Sequence, residues 1–313
     1  MEKDDLFDFE FDKDENGWSV TGYYGRSEEV VFPASYKNKP VKNIANLFSP
    51  NQKKKIKNVI IPESITSIGE GAFQGCTGLT SIKLPESLAF IGMEVFCGCT
   101  GLTEISVDEN NPVFRSLDGV LFDKTMITLI WFPDGKKGKY SVPDGIVAIE
   151  SDVFCNCKLT GISLPESLQI IDGFGFHSDQ LTDITVSELN PVFSSIDGVL
   201  FDKKKHKLIE YPRNKDKTDY AVPDGINFIE HLAFSGCKRL VNIVLPESLE
   251  LIGERAFAGC EGLKAIILPM SLQYVGKQVF EDCPNLKTIS LSRKTRIGFW
   301  AFEGFTGKLV YRD

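Results

Sequence analysis

Cysteine is the residue type in this 313-residue chain whose number and spacing most invite chemistry. Eight are present, and six of them, Cys76, Cys99, Cys157, Cys237, Cys260 and Cys283, stand three residues after a phenylalanine. At that spacing both side chains share one side of a short helical turn and are expected to point inward, where a thiol acts as a small hydrophobe. A ladder of reduced core thiols is therefore expected in preference to disulfides. Cys97 and Cys155 instead follow the phenylalanine directly and should face outward, in Cys97-Gly98-Cys99 and Cys155-Asn156-Cys157. Zinc ligands use a wider gap, and one cysteine of each pair already belongs to the core column, so no metal site is expected.

Other chemistry is no better supplied. His177, His206 and His231 stand near no serine or cysteine in a nucleophile motif, which leaves no triad to build. Glu63, Glu86, Glu166 and Glu247 each follow a proline in the same register and read as a solvated row, not as a paired acid and base. The run Asp108-Glu109-Asn110-Asn111, followed by Asp118 and Asp123, could suit calcium, yet turns recruit Asp and Asn for backbone reasons. Its counterpart Ser187-Glu188-Leu189-Asn190 lacks the leading aspartate. No phosphate-binding glycine fingerprint occurs. The expectation is a protein with no catalytic residues, no metal and no cofactor.

Charge excludes further classes. Lys and Arg total 35 against 43 acidic residues, a net charge of −8, which argues against nucleic acid; Lys53-Lys54-Lys55 reads as a solvated loop. No apolar run approaches the roughly 18 residues of a membrane span. The start, Met1-Glu2-Lys3-Asp4-Asp5-Leu6, lacks the pattern of a signal peptide, so the chain is read as cytosolic or as beginning after a removed leader.

The elements that must position these residues follow from a repeat. Pro62 and Pro85, then Pro223, Pro246 and Pro269, recur at a period of 23, inside the leucine-rich-repeat range. Three residues after the proline comes Ile65, Leu88, Ile146, Leu168, Ile226, Leu249 or Leu272, and three later an Ile or Val that ends a short strand. Phe48, Phe73, Phe96, Phe154, Phe176, Phe234, Phe257, Phe280 and Phe302 then form one column, expected to stack as a spine. Each unit closes on an alternating segment such as Leu79-Ile82-Leu84, a strand with one buried face. Two longer matching segments begin at Asn111 and Asn190; Asp118-Gly119 and Asp197-Gly198 predict hairpins inside them. The predicted fold is thus an α/β repeat: a leucine-rich-repeat solenoid with short helical turns and enlarged coils at about 107–142 and 186–222. Residues 1–32, with Phe7, Phe9 and Phe11 alternating before Asn16-Gly17, predict a capping hairpin, and residues 33–313 the solenoid.

Leu-Pro-Glu-Ser-Leu, then Ile-Gly, Ala-Phe, Gly-Cys and Leu-x-x-Ile, together with the Asn-Pro…Asp-Gly-Val-Leu-Phe segments, resemble the BspA-like leucine-rich repeats from about Gly22 through Phe305. The resemblance implies a right-handed solenoid with strands along a concave side, in a bacterial surface or secreted protein linked to adhesion and to binding host extracellular or bacterial surface proteins, with no catalytic residues. Partners should meet positions that vary between repeats. Five residues after the proline, Phe90, Ile170, Phe228, Leu251 and Tyr274 should face outward by alternation and are candidates for a protein contact. The alternative is the concave face that the resemblance implies, with Ser81, Lys83, Ser163, Asp183, Thr185, Asn242 and Thr288. A carbohydrate-binding module and a self-associating structural protein are the rival functions; oligomeric state is left open.

Overall fold

A computed structural model describes residues 6–312 apart from 174, 175 and 177. Each regular repeat is one coil of a β-solenoid. After the proline runs a two-residue strand, such as Leu251–Ile252; next comes the turn with Phe and Cys; then a longer strand, such as Ala265–Ile267, leads to the next proline. Equivalent strands pair in parallel, with Leu251 opposite Tyr274 and Ile252 opposite Val275, so the pairing register is the sequence period itself. That register keeps every apolar column on the inside.

The helical turns expected around Phe and Cys are not helices. Among the described residues the only helix is Pro50–Lys53. Two residues in each Phe–Cys turn are left-handed: Gly71 and Gly75, Glu94 and Gly98, Arg255 and Gly259, with φ between 53° and 76°. Such residues end a right-handed helix. The backbone bonds to the next coil instead, with Phe73 N–H donating to Val95 O and Phe257 N–H to Val279 O, each at 3.0 Å. The repeat is therefore built from strands and turns, with hydrogen bonds between coils on every side.

The chain divides into two compact units. The first comprises Met1–Lys137, Gly145–Lys158 and Ile170–His177. Its hairpin, Phe7–Asp12 with Gly17–Tyr23, turns at the left-handed Asn16 and continues in parallel through Lys39–Ile44 and Ser67–Ile68 to Phe90–Ile91, where that sheet ends. A second sheet starts with the hairpin Phe114–Leu117 and Val120–Asp123, folded over Asp118-Gly119, and runs through Thr128–Trp131 and Ala148–Ile149 to Ile170–Ile171. The second unit comprises Gly138–Asp144, Leu159–Gln169 and Ser178–Asp313. It repeats the plan: the hairpin Phe193–Ile196 and Val199–Asp202, then Lys207–Glu210, Phe228–Ile229, Leu251–Ile252, Tyr274–Val275 and Arg296–Ile297 in one sheet.

Both enlarged coils start on a fully buried asparagine. Asn111 donates to Pro85 O and Leu88 O at 2.8 and 2.9 Å and accepts from Val113 N and Phe114 N at 2.9 and 2.7 Å; Asn190 does the same one coil set later. With all of its amide satisfied, burial costs little. The aspartates that could have suited calcium are committed to turns: Asp123 Oδ1 accepts from Ile127 N at 2.8 Å, and Asp108 accepts from Asn110 N and pairs with Lys83 at 3.3 Å.

The phenylalanine column does stack. In the first unit Phe48–Phe73 and Phe73–Phe96 ring centres lie 6.0 and 5.9 Å apart, and Phe154–Phe176 5.6 Å. In the second, Phe234–Phe257, Phe257–Phe280 and Phe280–Phe302 are 5.0, 5.7 and 6.0 Å apart. The enlarged coils add rings that the repeat pattern does not reveal. Phe132 packs 5.5 Å from Phe154, and Tyr211 5.0 Å from Phe234. Neither is followed three residues later by the cysteine that accompanies six of the nine column phenylalanines.

Candidate functional site

Alternation on the two-residue strands decides which side chains leave the core. Ile252 and Val275 are buried, and the residue before each turns outward: Leu251 is 39% exposed and Tyr274 37%, while Phe228 is partly buried. Parallel pairing places Phe228, Leu251 and Tyr274 side by side in the second unit. Lys207 is the next residue at one end of this row and Arg296 at the other. The Lys207 ammonium lies 5.3 Å from the Phe228 ring centre, and the Arg296 guanidinium 6.0 Å from that of Tyr274. The result is an apolar row closed at both ends by a cation over an aromatic face.

The other two members of the column stand apart. Phe90, 59% exposed, neighbours Ser67 at the end of its sheet, and Ile170, 48% exposed, neighbours Ala148. One column in the sequence is thus one continuous apolar row only in the second unit. The cationic ends were not legible, because Lys207 lies in an enlarged coil and Arg296 follows no repeat proline.

On the longer strands Ser81, Lys83, Ser163, Thr185 and Asn242 are exposed, and Asp183 and Thr288 partly so. Thr185 Oγ1 donates to Ser163 Oγ at 2.9 Å. This side is less uniformly polar than its serines and threonines suggest, since Val244 and Ile267 are both largely exposed.

A cleft of about 400 Å³ opens in the first unit where the sheet ending at Phe90–Ile91 gives way to the enlarged coil. Phe96 and Trp131 line it below, and Glu70, Glu94, Glu150, Asp152 and Asp172 surround it. Burial raises the Glu150 carboxyl above its ordinary range, helped by Asp172 and Asp123. Such a cleft repels anions and accommodates a cation on an apolar stem.

The cysteine column faces inward, and its thiols do more than fill space. Cys99 Sγ donates to Phe73 O, Cys260 Sγ to Phe234 O and Cys283 Sγ to Phe257 O, each at 3.1 Å. Burial pushes the Cys76 thiol up to about 12. Cys97 and Cys155 are only partly buried. His231 Nδ1 accepts from Glu254 N at 3.1 Å, His206 is exposed, and His177 lies outside the described residues. Among the described residues no three His, Cys, Asp or Glu side chains group as metal ligands would, and no helix is long and apolar enough to cross a membrane.

Comparison with known proteins accords with this architecture. A family model described as BspA type leucine rich repeat region, in six copies, matches residues 46–139, 136–220 and 213–311. A leucine rich cell surface protein from Faecalibacterium prausnitzii A2-165 is 24% identical over 98% of this chain and 93% of its own, with a TM-score of 0.59. A leucine-rich repeat protein from Eubacterium ventriosum ATCC 27560 is 22% identical over 92% of this chain and 71% of its own, at 0.61. The pneumococcal vaccine antigen PcpA is 20% identical over 95% and 84%, at 0.53. These likenesses are of fold. No curated protein matches the sequence.

Proposed function

The chain belongs to the BspA-type leucine-rich-repeat family, and from that premise we propose that it is a noncatalytic scaffold that binds another protein at a bacterial cell surface or outside the cell. The observation that carries this reading is the row Phe228, Leu251 and Tyr274 between Lys207 and Arg296. Neighbouring strands stand about 4.8 Å apart, so three apolar anchors span roughly 10 Å. An apolar centre with a charged rim is the composition of a protein contact. The matching partner presents an extended apolar segment with acidic side chains at its ends. Phe90 has the polar Ser67 beside it and Ile170 only the small Ala148, so both add less.

A second reading places the contact on the longer strands, at Ser81, Lys83, Ser163, Asp183, Thr185, Asn242 and Thr288; the exposure of Val244 and Ile267 there favours it. Capture of bacterial surface and host extracellular proteins by the wild type, compared with a Phe228→Ser, Leu251→Ser, Tyr274→Ser variant, separates the two. Loss of two or three anchors should weaken capture by about 100-fold or more. Equal capture by a variant with unchanged unfolding would move the site to the longer strands. Concentration-dependent mass without capture would favour self-association.

A further inference from the structure

Two thiols 58 positions apart in the sequence meet on the first unit. Cys97 and Cys155 each follow a spine phenylalanine, and the enlarged coil lies between them in the chain. Only Pro133, Asp134, Gly135 and Lys136 connect Phe132 to the strand that starts at Lys137. Gly135 N–H donates to Leu102 O at 2.7 Å, which draws this corner in under its neighbours. The turns before and after therefore close over it. Lys158 Nζ reaches Thr100 O at 3.0 Å, and the Asn156 amide lies 3.6 Å from Cys97 Sγ and 3.4 Å from Cys155 Sγ. One side-chain amide thus touches both sulfurs and holds them on the same side of the corner.

Beneath them sits Asp134, fully buried. Its Oδ2 accepts from Gly98 N at 2.8 Å, and its Oδ1 has no donor among the described residues. Its charge acts on Cys155, and that of Cys97 acts on it. A buried carboxylate oxygen without a donor is costly, so a neighbour that can supply a proton relieves it.

Cys76, Cys99, Cys157, Cys237 and Cys260 are sealed from solvent, whereas Cys97 and Cys155 are only partly buried. The Cys155 side chain beside it, reinforced by the Asn156 amide, draws the Cys97 thiol below its ordinary range against burial and the repulsion of Glu94 and Asp152. The same contact and burial drive Cys155 up. One sulfur is thus primed to attack while the other holds its proton.

We propose that Cys97 and Cys155 form a thiol–disulfide exchange site for low-molecular-weight disulfides such as oxidised glutathione. The Cys97 thiolate attacks one sulfur of the small disulfide; its S–S bond breaks, and the departing thiolate takes up the proton that Cys97 had released to solvent. Cys155 then gives its proton to Asp134 and attacks Cys97 Sγ. The second thiolate leaves and recovers that proton. Two protein thiols are oxidised to one disulfide, and one small disulfide is reduced to two thiols. The product ties the turn after Phe96 to the turn after Phe154 across the enlarged coil. In a reducing compartment the pair stays a dithiol, and in an oxidising one it closes.

The test is incubation of the folded protein with oxidised glutathione at neutral pH, followed by peptide mapping without reductant. The wild type should lose two hydrogens, link Cys97 to Cys155 and leave Cys76, Cys99, Cys157, Cys237 and Cys260 unmodified. Cys155→Ser should stop with glutathione on Cys97, and Cys97→Ser should lose the fast reaction. Thermal unfolding of the reduced variants at the wild-type midpoint shows that both remain folded. Glutathione retained on wild-type Cys97, or no modification of either thiol, would overturn the proposal.

Discussion

Asp134 takes the place of a backbone carbonyl. In neighbouring coils the turn glycine bonds to the next coil's backbone, as Gly75 N–H does to Cys97 O at 2.8 Å, but Gly98 N–H donates to the Asp134 carboxylate. Burial raises that carboxyl from 3.8 to about 7. The folded chain therefore holds a proton that the unfolded chain releases, and stability falls as pH rises from about 4 to 7, with the full penalty present above that window. Asp134→Asn keeps an acceptor for Gly98 and removes the charge. It should stabilise the protein by on the order of 3 kcal/mol above neutrality and change little near pH 4. Urea midpoints of both proteins at the two pH values check this; an equal difference at both would mean that the carboxylate is not desolvated. The sequence offered no signal for Asp134, because Pro-Asp-Gly reads as an ordinary surface turn.

At the scale of the element, coil spacing is set where the short strand meets the turn. The Ile-Gly or Val-Gly pair that recurs there reads from sequence as a strand ending in a turn. Its physical cause is closer contact: a Cβ added at Gly276 would lie 2.6 Å from the Gly253 carbonyl carbon, and one at Gly253 2.6 Å from His231 N. Backbone cannot yield as a flexible side chain can. Gly276→Ala should therefore push two coils apart and cost about 1–3 kcal/mol, read as a lower unfolding midpoint. An unchanged midpoint would show that the coils can separate without loss. The short helices fail at this scale too, since Phe and Cys three apart suit a helical turn and a left-handed turn equally. Backbone hydrogen bonds to the next coil decide between them.

Within each unit, stability comes from stacking, each coil against the next. Phe234 has Tyr211 on one side and Phe257 on the other, each at 5.0 Å. Phe234→Ala should cost on the order of 3–5 kcal/mol through lost burial and a cavity. Because contacts reach only neighbours, amide exchange should quicken first in Lys207–Glu210 and Leu251–Ile252 and less at Arg296–Ile297. Uniform quickening would contradict neighbour-by-neighbour stability, and no loss of stability would remove Phe234 from the spine.

The sequence by itself determined the period, the coil, the inward columns and the outward column that includes Phe228, Leu251 and Tyr274. These follow from one constraint repeated along the chain: a coil that cannot bury its apolar face alone must present the same face to the next. Tertiary structure alone decided what the enlarged coils do to that order. They bring Phe132 and Tyr211 into the spine, end the row at Phe90, place Lys207 beside Phe228 and bring Cys97 and Cys155 to one Asn156 amide. Which residues become neighbours across an enlarged coil depends on how much chain its hairpin carries out of the stack, and no local pattern of residue types encodes that distance.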